Sequence, residues 1–190
     1  MLRSLKLFCI LAVGIALGLA ATWASVIRSN NSGGVSNGPW RTSLYAGSRE
    51  GSPYLRAYVA VHGLLALGRE ETIYYTATND SEGQTLDGNC SYRVEGRDLP
   101  ARWWSITAYG ADDFLIPNPA DRYSVSMNSV ARRADGTFAV TLSKKQAEGD
   151  WIPVTGGRFD LTLRLYNPQA TVVADPGHLT LPTIRKAGCE

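Results

Sequence analysis

The segment that most constrains the fold is residues 159–166, where Phe159, Leu161, Leu163 and Leu165 alternate with Asp160, Thr162, Arg164 and Tyr166. Successive side chains of a strand project to opposite faces, so this period of two puts four large apolar groups on one face and four polar or amphipathic ones on the other. A helix would scatter the same residues around its circumference. Residues 100–110, Pro-Ala-Arg-Trp-Trp-Ser-Ile-Thr-Ala-Tyr-Gly, follow the same rule. Trp104, Ile106 and Ala108 form a core face, with Trp103, Ser105, Thr107 and Tyr109 opposite. Both segments need a sheet with one covered apolar side.

Residues 72–78, 90–95, 122–127 and 137–143 are also short and strand-like, set off by turn-forming stretches at 80–83, 86–89 and Asp135-Gly136. Six or so strands at this spacing predict an antiparallel β-sandwich or jelly roll. One helix is expected, over residues 53–67. There Tyr54, Ala57, Tyr58, Val61, Leu64 and Leu65 recur at three- and four-residue steps, after Ser52 as N-cap and Pro53 in the first turn, with Gly68 as the C-cap. The expected domain is mainly β with one packed helix.

Ahead of it, residues 7–27 are 21 consecutive uncharged, mostly apolar residues. As a helix they span roughly 30 Å, enough to cross a bilayer. Arg3 and Lys6 precede the run and only Arg28 follows, a bias that keeps the N-terminus in the cytoplasm and exports the rest. Trp23 suits an interfacial anchor. The alternative is a cleaved signal peptide, with residues 22–24 as a poor small-x-small site. The expected organisation is an N-terminal transmembrane helix in residues 1–28, a flexible linker in 29–52 and an exported domain in 53–190. The polar stretch 29–38 begins that linker. The simplest setting is a single-pass protein of a bacterial inner membrane with its C-terminal domain in the periplasm.

Removing Arg3, Lys6 and Arg28 from the 19 basic residues leaves 16 against 17 acidic ones, so the exported part is close to neutral. With no basic block, nucleic acid is not an expected partner. Cys9 lies in the membrane run. Cys90 and Cys189 lie on the exported side, where an even pair is expected to be bridged; two unpaired thiols are the alternative.

No nucleophile elbow, Walker loop or dinucleotide fingerprint occurs, and no cofactor is expected. His62 and His178 are the only histidines; a surface position for each is favoured over a shared metal site. Asp112, Asp113 and Asp121 read as solvated loop acids rather than a calcium loop or a hydrolytic carboxylate pair. Six residues stand out as candidates for binding a ligand or partner: Trp103, Tyr109, Arg122, Tyr123, Arg164 and Tyr166. Arg164 shares a strand face with Asp160, and an ion pair between them is favoured over anion binding by the guanidinium fork. The three rings at 103, 109 and 166 form either a second packed layer under the helix or a stacking platform for a sugar.

The ordered set of segments resembles the bacterial family called domain of unknown function 1214. The matching pieces are Leu86-Asp87-Gly88 with Tyr92, residues 100–109, Asn118-Pro119, residues 121–124, Asp135-Gly136-Thr137, Trp151-Ile152-Pro153, residues 159–168 around Leu163-Arg164-Leu165-Tyr166, and residues 181–184. The resemblance covers residues 53–186. It implies a jelly-roll-like β fold and a relationship to longer proteins in which this domain follows a second one, domain of unknown function 1254. It supplies no catalytic residues. The resulting expectation is a membrane-tethered module that binds such a companion in trans; the rival is an envelope enzyme acting on a carbohydrate or other polar substrate at a strand-end cleft.

Overall fold

The computed structural model describes residues 2–28, 34–61 and 66–189. The elements in chain order are α1 (Leu2–Arg28), β1 (Gly34–Asn37), β2 (Trp40–Ser43), α2 (Pro53–Val61), β3 (Thr72–Ala77), β4 (Cys90–Arg97), β5 (Ala101–Gly110), β6 (Ser124–Ser126), β7 (Thr137–Ser143), β8 (Asp150–Pro153), β9 (Phe159–Pro168), α3 (Ala170–Ala174) and β10 (Thr183–Cys189). Two sheets carry the fold. One has six strands in the order β1-β2-β3-β9-β5-β6, and the other four in the order β10-β4-β7-β8. Neighbouring strands run antiparallel throughout, except for the parallel pair β7 and β8. The protein is a mainly β, sandwich-like fold.

The sandwich closes because the period-two faces meet. Leu161, Leu163 and Leu165 of β9 lie beside Trp104, Ile106 and Ala108 of β5 on the inner face of the six-stranded sheet. Tyr92 and Val94 of β4 and Phe138, Val140 and Leu142 of β7 oppose them from the other sheet, all fully buried. The Trp104 ring stacks on Phe138 at 4.8 Å between centroids, and the Tyr92 ring meets Phe159 edge-on at 5.7 Å. A buried aromatic pair of this kind contributes about 1 kcal/mol beyond its area burial. Trp104 still needs a partner for its indole N–H, which donates to Asp98. Arg132 grips the same carboxylate through Nε and Nη2, each at 2.7 Å. That pair fixes the loop after β6 against the start of β5.

The N-terminal boundary differs from the sequence expectation. Residues 34–43, expected within the linker, form the hairpin β1–β2, which turns at Gly38 with φ 58° and extends the sheet through Arg41 opposite Thr76. The cause is Trp40. Its side chain is fully buried and its indole N–H donates to the Pro182 carbonyl at 2.7 Å, so a polar-looking stretch is drawn in by one large apolar group. The expected helix is shorter as well. Residues 53–61 are helical, capped by Ser52 Oγ accepting from the Leu55 amide, while Ala66 and Leu67 are not helical. The expectations for His62, Gly63, Leu64 and Leu65 fall outside the described residues.

Two further strands carry no clear periodic signal. β8 is only four residues long and buried on both faces, and β10 has Ile184 as its one buried residue. β10 is placed by its pairing with β4, which puts Cys189 opposite Cys90, and the two are joined in a disulfide. The bridge therefore staples the last strand across 99 residues of sequence. Cys189→Ser is expected to lower unfolding stability by roughly 2–4 kcal/mol, seen as a reduced urea midpoint that matches wild type under reductant. An unchanged midpoint would mean that the strand pairing alone holds the tail.

Candidate functional site

The outer face of the six-stranded sheet carries the polar half of each alternating strand. Because β9 lies between β3 and β5, the register lines up Tyr74, Arg164 and Ser105 in one row, Thr76, Thr162 and Thr107 in the next, and sets Asp160 opposite Tyr109. At the other end of β9, Tyr166 faces Trp103, and their rings lie 5.1 Å apart at a tilt of 52°. Leu67, ahead of β3, reaches this face, its amide donating to the Tyr74 hydroxyl at 3.2 Å. Ser105 and Thr107 on this face are buried although they are polar. Trp103, Tyr109, Arg164 and Tyr166 stay half-buried.

Arg164 organises the centre of the face. Its Nη2 donates to the Tyr109 hydroxyl at 2.8 Å and its Nη1 to Thr107 Oγ1 at 3.3 Å. The guanidinium also lies over the Tyr109 and Tyr74 rings, at 5.4 and 5.9 Å from their centroids, a cation–π arrangement. The expected ion pair with Asp160 is not formed. Four residue steps along the strand separate the two α-carbons by about 13 Å, and the hydroxyls of Thr107 and Tyr109 intercept the guanidinium on the way. Among the described residues the charge is thus held by neutral groups, and part of its five-donor fork has no hydrogen-bond partner there.

Asp160 occupies the end of the same face. Burial pushes its carboxyl up to about 7, and the charge of Asp113 adds to the shift; Arg164 and the Thr162 hydroxyl act in the opposite direction without cancelling it. The Tyr58 hydroxyl on α2 is raised by burial and then by Asp113 and Asp160, so helix, loop and strand converge here. Beside them opens a cleft of about 350 Å³, lined by Thr78, Asn79, Thr85, Ala111, Arg158, Phe159 and Asp160. It lies where β3 ends and β9 begins. A carboxyl that titrates near neutrality in a concave polar cleft can act as a proton donor or acceptor, and Arg158 and Asn79 can orient a polar ligand.

The other candidates do not join this group. Arg122 is exposed, and the Tyr123 hydroxyl donates to Asp121 Oδ1 at 3.2 Å. Their loop is held by Asn118, whose Oδ1 accepts from the Ala120 and Arg122 amides. Asp112 Oδ1 accepts from the Phe114 amide, a turn contact. Asp113 and Asp121 both take left-handed backbone angles, φ 65° and 50°, which aspartate tolerates in tight turns. His178 is exposed and paired with Asp175 at 2.7 Å, which raises the imidazole's pKa. Among the described residues no three His, Cys, Asp or Glu side chains come together as a metal site. Asp160, Arg158 and Asn79 were missed as site residues. The strand period placed Asp160 on the Arg164 face, but nothing in the local sequence marked it as buried.

The family described as protein of unknown function (DUF1214) matches residues 71–170, more than half of the chain. The chain belongs to that family. The matched segment runs from the residue before β3 into α3, so it contains Arg164, Asp160 and the cleft. No curated protein matches. Among solved structures, this DUF1214 protein resembles the VPA0106 protein from Vibrio parahaemolyticus, with a TM-score of 0.60 at 23% identity over 70% of this chain and 34% of that one. A protein from Burkholderia cenocepacia matches with a TM-score of 0.42 at 18% identity, over 61% of this chain and 29% of that one. The DUF1214 chain thus spans about a third of the length of the Vibrio protein, and the likeness to it is one of fold.

Asp160 gives the site a pH signature. An unfolded chain releases this proton near 3.8, whereas the folded protein holds it until about 7. The folded state therefore binds the proton more tightly, and the stability this confers is full below pH 4 and lost as pH rises through 7. Asp160→Asn cannot ionise and keeps it. Its thermal midpoint is expected to match wild type at pH 4 and to exceed it increasingly up to pH 8. Parallel curves across that range would show that Asp160 ionises normally.

Proposed function

We propose that this DUF1214 protein is a membrane-anchored, exported interaction module, and that the outer face of its six-stranded sheet receives a companion domain supplied in trans. The observation that carries the reading is Arg164, a half-buried cation on a rigid central strand, held by Thr107 and Tyr109 and flanked by aromatic rings. Arginine, tyrosine and tryptophan on a preorganised surface are the residue types that dominate binding energy at protein interfaces. Here the remaining guanidinium donors suit a carboxylate or carbonyl of the partner.

Two features support the setting. Within the described residues one helix, at the N-terminus, is long and apolar enough to cross a membrane. The Cys90–Cys189 disulfide suits an oxidising compartment. With Arg3 and Lys6 ahead of the span, the reading places the N-terminus in the cytoplasm and the β domain in the periplasm of a bacterial envelope. The matched part is about a third of the Vibrio protein's length, which fits a domain that works beside further polypeptide.

The test is affinity capture of the full chain from gently solubilised membranes, with Arg164→Ala in parallel. A companion-domain protein recovered in stoichiometric amount with wild type, and reduced at least about tenfold with the variant, is the expected result. Well-folded protein that brings down no such companion overturns the reading.

The raised Asp160 carboxyl in the strand-end cleft favours a second reading, an envelope enzyme acting on a carbohydrate or similar polar substrate. It predicts turnover by the isolated full chain with a rate profile that breaks near pH 7, and loss of that turnover in Asp160→Asn. A panel of envelope glycans left intact by wild type would remove it.

A further inference from the structure

The short helix α2 is apolar on nearly every side. Of its nine residues, Pro-Tyr-Leu-Arg-Ala-Tyr-Val-Ala-Val, only Arg56 is charged, and only Leu55 is buried. Leu55 is buried and Tyr58 turns toward Asp113 and Asp160, while Tyr54 and Val61 are 47% and 56% exposed. An amphipathic helix on a soluble domain would place polar residues there. Next to α2 stands the tip of the loop that follows β5. Asp113 is close enough to act on the Tyr58 hydroxyl, and the two residues after it, Phe114 and Leu115, are 73% and 42% exposed. These side chains form an apolar rim on one end of the domain.

What covers this rim follows from α1. The helix is exposed along most of its length, Val26 in its last turn is only 7% exposed, and α1 as an element lies against α2. The uncharged run of α1 ends at Ile27. At 1.5 Å of rise per residue, Val26 lies within about 3 Å of that boundary along the helix axis. Since the described side chains of α1 are exposed except at Ala24 and Val26, its contact with α2 belongs to this end, and α2 sits at the level where hydrocarbon gives way to headgroups. Trp23, at 59% exposure, marks the same level on the anchor itself.

From this geometry we infer that α2 and the Phe114-Leu115 loop tip lie in the membrane interface, so that the domain docks flat against the leaflet instead of standing off it on a linker. Tyr54, Val61, Phe114 and Leu115 enter the headgroup region as an interfacial surface, and Arg56 reaches outward to headgroup phosphates. The hairpin β1–β2 supports this placement, since it draws residues 34–43 into the sheet and shortens the tether to the residues between Arg28 and Gly34. The strand-end cleft, which shares Asp160 with the site under α2, then opens close to the bilayer surface. The inference rests on the membrane-anchored part of the proposed function.

The test uses the full chain with Cys9→Ser, reconstituted in phosphatidylethanolamine–phosphatidylglycerol vesicles. Single cysteines at Val61→Cys, Phe114→Cys, Leu17→Cys and Arg185→Cys carry an environment-sensitive fluorophore. Arg185 lies on the outer face of the four-stranded sheet, the opposite layer. Nitroxide lipids labelled at the headgroup are expected to quench positions 61 and 114 about threefold more than position 185. Lipids labelled deep in the acyl chain are expected to quench position 17. If position 17 is quenched while 61 and 114 behave like 185, the anchor stands and the docking is overturned. If position 17 is not quenched, the anchor reading fails and the docking falls with it.

Discussion

The pairing of β5 with β9 is the constraint on which the rest of the structure depends. Both strands are ten residues long, β9 lies at the centre of the six-stranded sheet with β5 beside it, and their ladder runs from Ala101 opposite Pro168 to Gly110 opposite Phe159. A one-residue slip would turn Trp104, Ile106 and Ala108 outward and bring Trp103, Ser105 and Thr107 into the core. The register is therefore fixed by burial, and it also fixes the site. The slip that would wreck the core would equally separate Arg164 from Thr107 and Tyr109. Stability and the polar outer face are two sides of one ladder.

That outer face is an intermediate case between core and surface. The sequence posed a second packed layer beneath the helix and an open aromatic platform as alternatives, and burial along this face is mixed. Ser105 and Thr107 are buried, while Trp103, Tyr109, Arg164 and Tyr166 keep part of their surface open. Partial cover matters chemically. It lowers the local dielectric enough to hold Asp160 protonated up to about 7, yet leaves a route from the cleft to Thr78, Asn79 and Arg158. Fully exposed, Asp160 would lose the desolvation that raises it; fully sealed, it could exchange nothing with a ligand.

The N-terminal region shows how a single residue can override composition. Residues 29–38 are rich in Ser, Asn and Gly and lack any periodic signal, which is the signature of a linker. Trp40, just beyond, is buried completely and donates to Pro182, so its hairpin joins the sheet edge. Burying one tryptophan and satisfying its N–H is enough to order a few neighbours that contribute little themselves. The same reasoning applies to β10, whose residues are mostly exposed but whose end is tied by the disulfide to β4.

The sequence by itself determined the class of fold, the membrane-length apolar helix, the core face of β5 and β9, and the pairing of Cys90 with Cys189. Each of these depends on local pattern: period two, an uninterrupted apolar run, an even count of thiols. The strand period also placed Trp103, Tyr109, Arg164 and Tyr166 on one face. Only the tertiary structure decided what that face does. Whether Arg164 meets Asp160 or two neutral hydroxyls depends on which strand lies beside β9 and in what register. Whether Asp160 is solvated or raised to about 7 depends on the helix and loop that cover it. Those are contacts between residues some fifty positions apart in the chain, as Arg164 is from Thr107 and Tyr109, and no local pattern encodes the burial they produce.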